Sequence, residues 1–211
     1  FKDGKEEGLW TWWYENGQKK SEEHWQDGKR NGLSTEWWKN GLTGREGNYR
    51  NDKKDGLWVE WYENGKEKRE ETWKDGEKEG HWTEWYKNGQ KHTEGNIVND
   101  DVLDGLYIRW YQNGQKEREG NLKNGLKEGL WTHWHENGQK YREENLKNSG
   151  KEGMWTEWRR NGQKREERNY KGDKKNGFWT FWYENGQRAS ESNYKDDKKD
   201  GLWNYWDENG Q

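Results

Sequence analysis

A glycine recurs along this chain every 24 residues. Taken as an anchor, it stands at Gly8, Gly32, Gly56, Gly80, Gly105, Gly129, Gly153, Gly177 and Gly201, and only the step from Gly80 to Gly105 is one residue longer. A second glycine follows each anchor by nine residues, from Gly17 to Gly210, and Asn precedes it every time, from Asn16 to Asn209. The extra residue lies after Gly89 and before Gly105, between two copies of the motif. A unit repeating at this period is one supersecondary element stacked on its neighbours, and any fold of the chain has to accommodate nine of them.

Apolar residues sit on the same grid. Five after each anchor stands Trp13, Trp37, Trp61, Trp85, Trp110, Trp134, Trp158, Trp182 or Trp206. Two after it stands Trp10, Trp58, Trp82, Tyr107, Trp131, Trp155, Trp179 or Trp203, with Ser34 the exception. Six after it the residue is mostly Tyr or Trp, interrupted by His135, Arg159 and Asp207. Fourteen after it comes Glu, and seventeen after it a large apolar residue such as Tyr49, Trp73 or Leu146.

Segments such as Leu57–Tyr62 are short, aromatic and bounded by turn residues, which favours strands. The Asn-Gly pair supplies the positive-φ conformation of a tight hairpin turn. A more polar strand returns, as in Lys66–Trp73, and a second Gly/Asp-rich turn such as Lys74–Gly80 leads into the next copy. Each repeat is therefore one β-hairpin. Whether the Asn-Gly turn has two residues, or three with a bulge, stays open at this point. A lone hairpin is marginal in water, so the copies pair edge to edge and cover their aromatic rows.

Composition fits that picture and excludes others. Only 25% of the 211 residues are hydrophobic and 38% are charged, a profile of disorder were it not for 20 Trp and 11 Tyr. There is no Cys, hence no disulfide framework, thiolate metal site or cysteine nucleophile. No stretch approaches the run of about 20 apolar residues that a membrane helix needs. The 39 basic and 42 acidic residues are interleaved and sum to −3, which favours neither nucleic acid nor an anionic lipid surface as partner.

The unit G-L-W-x-x-W-Y-x-N-G-Q-K…E-x-N-Y-K-x-x-x-K-x-G resembles the MORN repeat, in its bacterial second variant, which also occurs in antitoxin-like proteins of the YwqK type. The resemblance runs the length of the chain. It implies an all-β, elongated and twisted array of stacked antiparallel hairpins, 1–211, with an aromatic groove-like face. It also implies binding or scaffolding without catalysis or a cofactor. Phe1 stands where the aromatic seventeen after a missing anchor belongs, and Asp207–Gln211 stops just after a turn. The expectation is a fragment of a longer array.

The candidate sites follow from the rows. The fifth-position tryptophans, Trp13 to Trp206, are expected to form the structural core. The second-position row, Trp10 to Trp203, is the candidate interaction face, because strict alternation places it on the opposite side of the sheet. Such a row suits a protein partner or self-association, and glycan stacking as a further reading. The Glu row (Glu22, Glu46, Glu70, Glu94, Glu119, Glu143, Glu167, Glu191) repeats too regularly for an active site and is expected to pair with Lys and Arg of adjacent hairpins. His133 and His135 are two apart but have no third ligand. The acidic turns Asn99–Asp104 and Lys195–Asp200 lack the ligand pattern of a calcium loop. The function expected is a non-enzymatic scaffold or self-assembling structural protein, in a surface or secreted setting. The alternative is an antitoxin that neutralises a partner toxin, in the cytoplasm.

Overall fold

The computed structural model describes residues 1–99 and 101–211. Asp100, part of the acidic turn Asn99–Asp104, lies outside the described residues. The chain divides into two compact units, Phe1–Leu103 and Asp104–Gln211. Among the described residues there is no helix, and every strand pairing is antiparallel.

Within each unit the strands follow one another in sequence order. In the first, Gly8–Trp13, Lys29–Trp37, Lys53–Trp61 and Glu77–Trp85 run out through the anchors, and Lys19–Gln26, Thr43–Arg50, Glu67–Lys74 and Lys91–Val98 return. The short Val102–Leu103 pairs with the last of these. In the second, Gly105–Trp110, Leu126–Trp134, Gly150–Trp158, Lys174–Trp182 and Lys198–Tyr205 run out, and Lys116–Lys123, Lys140–Lys147, Lys164–Lys171 and Arg188–Lys195 return. One hairpin per repeat is the architecture that the 24-residue grid implies.

Two kinds of turn alternate. At the Asn-Gly site, Tyr14 N donates to Gln18 O at 2.8 Å and Gly17 N to Tyr14 O at 3.0 Å, leaving the three-residue loop Glu15-Asn16-Gly17. Only the glycine takes positive φ, 81° at Gly17; Asn16 instead accepts the Gln18 amide on its Oδ1 at 3.1 Å. The loop is thus a turn closed by a left-handed glycine, and the return strand bulges just beyond it, so that Trp12 faces Ser21 but Trp13 faces Lys19. The two-residue turns lie between repeats instead. Asp75 and Gly76 are both left-handed, at 51° and 90°, as a type I′ turn demands. Because that turn is so short, pairing resumes at once, and seven outgoing strands, such as Glu77–Trp85, begin three residues before their anchors, whereas Gly8–Trp13 and Gly105–Trp110 begin at theirs.

The anchor glycines mark a second irregularity. Gly153 has φ 70°, and beside it the pairing jumps from Glu144↔Trp155 to Leu146↔Lys151, so the outgoing strand holds two residues more than its neighbour there. Asn145 reaches into this bulge and donates its Nδ2 to Met154 O at 2.8 Å, and Asn169 does the same to Phe178 O at 3.0 Å. The carbonyl freed by the bulge is thereby satisfied.

Candidate functional site

Side chains at the second, fourth and sixth positions after an anchor share one face of the sheet with those at the fifteenth and seventeenth. In the second unit the rings there form a continuous zipper. Trp155, Tyr170, Trp179, Tyr194 and Trp203 follow one another at centroid distances of 5.5, 5.4, 5.3 and 5.4 Å. Three of the indole N–H groups reach back to the preceding repeat: Trp131 Nε1 donates to Asn121 O at 3.0 Å, Trp155 Nε1 to Asn145 O at 2.9 Å and Trp179 Nε1 to Asn169 O at 3.1 Å. In the first unit Trp58 Nε1 donates likewise to Asn48 O at 3.1 Å.

A lysine two residues before the anchor closes this stack from above. Lys175 Nζ lies 4.4 Å from the Trp179 ring and 4.9 Å from Tyr194, and Lys54 Nζ lies 4.6 Å from Trp58 and 4.1 Å from Trp73. Burial against these rings, with Arg45 adding repulsion, lowers the pKa of Lys54.

Burial does not divide the two tryptophan rows into a core and an exposed face as the sequence expectation had it. The second-position row, expected to be the exposed one, contains the most deeply buried indoles: Trp58 and Trp131 are 2% exposed, and Trp82, Trp155, Trp179 and Trp203 are half-buried. The fifth-position row, expected to be core, is half-buried from Trp37 to Trp206, and Trp13 is 58% exposed. The reason is cover. Rings at the seventeenth position and lysines before the anchor close over the second-position row, whereas the fifth-position row has only side chains beside it. Lys19 lies 5.6 Å from the Trp37 ring and Lys116 5.7 Å from Trp134.

The opposite face carries the first, third and fifth positions. Its third-position threonines from Thr35 onward are buried, and Thr11 and Thr35 donate their hydroxyls to Glu22 Oε1 and Glu46 Oε2 at 3.2 and 3.0 Å. Six glutamates of the row, Glu22, Glu94, Glu119, Glu143, Glu167 and Glu191, pair within their own strand, not with adjacent hairpins as expected. Lys91 Nζ lies 2.6 Å from Glu94 Oε2 and Arg188 Nη1 lies 3.1 Å from Glu191 Oε2, each three residues before its partner. The bulge beyond the Asn-Gly loop brings these side chains to the same side.

The residues that sequence reasoning passed over are the first-position ones. Leu9, Leu33 and Leu57 in the first unit, and Leu106, Leu130, Met154, Phe178 and Leu202 in the second, are exposed. In the second unit that exposure runs from 47% to 83%. The signal was present as a 24-residue recurrence of Leu, but its place in the bulge, which turns it outward, was not legible.

His133 and His135 do not form a metal site. His133 Nε2 donates to the buried Glu144 at 3.1 Å, and both imidazoles pack on the Tyr141 ring, at 5.7 and 4.8 Å. Among the described residues no three His, Cys, Asp or Glu side chains cluster in a way that holds a metal ion. In the Lys195–Asp200 turn, Asp197 accepts the Lys175 amide at 2.8 Å.

Within each unit the sixth-position row ties hairpins to their successors. Tyr14, Tyr62, Tyr111 and Tyr183 donate their hydroxyls to the carbonyls of Trp37, Trp85, Trp134 and Trp206 at 2.7–2.9 Å. At two places where the row departs from Tyr the bond survives: Trp38 Nε1 donates to Trp61 O at 3.1 Å and Arg159 Nη2 to Trp182 O at 2.7 Å. The turn asparagines run parallel to it, Asn16 to Lys39 O at 3.1 Å and Asn113 to Glu136 O at 2.7 Å.

Seven segments, 6–27, 54–75, 78–99, 103–124, 127–148, 151–171 and 175–196, match the model of a family described as MORN repeat variant, and together they cover more than half of the chain. Each matched segment encloses one hairpin. No curated protein matches the chain significantly.

Proposed function

Because this chain belongs to the MORN repeat variant family, we propose that it is a non-enzymatic repeat scaffold whose apolar face associates with protein, a second copy of the array being the partner that fits best. One observation carries this reading: the exposed row Leu106, Leu130, Met154, Phe178 and Leu202, one residue per repeat. Contiguous exposed apolar rows on a folded protein mark association surfaces. A second copy presents the same row at the same spacing, so one contact made correctly is repeated at every hairpin. A self-complementary patch of this kind forms a two-fold interface, or an open one if the rows are offset. The Lys and Glu of the eleventh- and fourteenth-position rows, such as Lys140 and Glu143, share that face with both signs of charge, which opposes association with a strongly charged surface of one sign.

Sedimentation velocity over a wide concentration range tests the reading. The wild-type protein is expected to associate as concentration rises, and the double variant Leu130→Asp/Phe178→Asp to remain monomeric. A wild-type chain that stays monomeric at the highest concentration removes self-association.

A further inference from the structure

In three repeats the side chain four residues after the anchor is a glutamate, and the side chain twelve after the anchor is its basic partner. Lys68 Nζ lies 3.3 Å from Glu60 Oε2, His92 Nδ1 3.4 Å from Glu84 Oε2, and Arg165 Nη1 3.8 Å from Glu157 Oε2. In another the signs are exchanged, with Arg109 Nε 2.9 Å from Glu117 Oε2. The twelfth side chain also covers the sixth: the His92 imidazole packs on Tyr86 at 4.5 Å and the Tyr141 ring on His135 at 4.8 Å. The fold thus gathers an acid, a cation and a ring on its aromatic face.

One repeat keeps the acid and the ring and lacks the cation. Glu36 is four after Gly32 and Trp38 is six after it, but the twelfth residue is Gly44. Arg45 stands directly opposite Glu36 across the hairpin yet turns to the next repeat, with its Nε 3.7 Å from Glu60 Oε1 and its guanidinium 4.7 Å from the Trp58 ring. Among the described residues Glu36 has no ion-pair partner. The Trp38 indole is pinned by its bond to Trp61 O at 3.1 Å and lies against Gly44, where a Cβ would be 3.2 Å from Cε2. Around these groups is a pocket of about 480 Å³, lined also by Tyr14 and Glu23, with the exposed Lys20 at its edge.

We propose that this pocket binds a basic side chain of a partner polypeptide, whose cation lies over Trp38 and pairs with Glu36. The chain itself shows what fits, because Lys68, His92 and Arg165 fill the equivalent place in other repeats. An indole is the strongest aromatic partner for a cation, and a carboxylate beside it supplies the opposite charge. Glu23 adds a second carboxylate, while the nearby cations Arg45 and Lys68 are engaged by Glu60. The proposal deepens the scaffold reading and rests on it for the source of the side chain. Its residues occupy the face opposite the exposed leucines, so its test and the sedimentation test fail separately.

The probe is N-acetyl-argininamide, with the uncharged N-acetyl-citrullinamide as its isostere, observed by saturation-transfer NMR. Two variants accompany the wild-type chain: Glu36→Gln, and the double substitution Trp38→Tyr/Gly44→Lys, which reproduces the pairs Tyr14/Lys20 and Tyr62/Lys68 of the flanking repeats and so keeps the fold. Gly44 has ordinary backbone geometry and accepts a side chain once the indole is gone. The wild-type protein is expected to saturate argininamide and not citrullinamide. Losing one cation–π or charge-assisted contact should weaken binding by about fivefold or more. Equal transfer to both probes overturns the proposal, as does undiminished transfer to argininamide in the double variant with an unchanged melting temperature.

Discussion

The indole of Trp131 lies directly on the backbone of Gly120: a Cβ built at that glycine would stand 2.3 Å from Trp131 Cδ2. Trp58 sits in the same way on Gly47, at 2.2 Å. These are the two tryptophans that are 2% exposed. Where the residue fifteen after the preceding anchor is Glu71, Glu144, Arg168 or Ser192, the following tryptophan is only half-buried. The glycine at that place, with no positive φ to excuse it, sets how deeply the next repeat's ring descends.

Gly120→Ala is accordingly expected to lower stability by overpacking, about 1–3 kcal/mol. Urea unfolding at neutral pH measures it. Gly129→Ala costs stability for a different reason, its φ of 71°, with open space around the added methyl.

Trp131→Ala should cost about 3–5 kcal/mol, as loss of a fully buried large aromatic does. Trp134→Ala, in the half-buried fifth-position row, should cost clearly less. Thermal melts of the two variants decide the order, and a larger loss for Trp134→Ala would show that the fifth-position row is the core after all.

Acid should find a specific weak point at Glu144, which is 4% exposed. Burial alone would raise its pKa, but the bonds from His133 and Lys127, each 3.1 Å, outweigh that and hold it at about 2. A carboxylate depressed in the folded state stabilises the fold above the ordinary range near 4.5, and that contribution is lost as pH falls towards 2. The difference is worth roughly 2–3 kcal/mol. Melting temperatures between pH 7 and pH 2 should fall more steeply over that window for the wild-type chain than for Glu144→Gln.

Excising residues 129–152, one whole repeat, should leave a folded and cooperative protein, because every strand finds an equivalent neighbour. Excising 129–140 should not, since it replaces an outgoing strand with a returning one and breaks the bulge register. Circular dichroism melts of the two deletions report the outcome; equal tolerance of both would contradict one hairpin per period.

How much of this was legible in the sequence depends on what the period carries. Hairpins, their order and their number follow from the recurrence of Gly8 to Gly201, because nothing else explains nine anchors at intervals of 24 residues with a single step of 25. Alternation also says that Trp131 and Trp134 face opposite ways. It does not say which way is covered. Cover comes from Leu122 and Tyr170 at the seventeenth position, from Lys127 and Lys175 before the anchors, and from Gly120 under the ring, and these contacts cross between strands that sequence spacing alone does not align. The length of the Asn-Gly turn stays open in the sequence for a related reason. Asn16-Gly17 looks like a two-residue turn, yet the positive-φ pairs are Asp75-Gly76 and Asn51-Asp52, where short polar side chains tolerate the left-handed region.

The bonds from Tyr111 to Trp134 and from Asn113 to Glu136 all run in one direction, from a repeat to its successor. The indole bonds run the other way, from Trp155 to Asn145 and from Trp179 to Asn169. A hairpin inside a unit thus lends donors to both neighbours, a hydroxyl and an amide forward and an indole backward. If it melts, the one before and the one after are each left with a donor that has lost its acceptor, so neither neighbour is spared and adjacent hairpins are bound to loosen together.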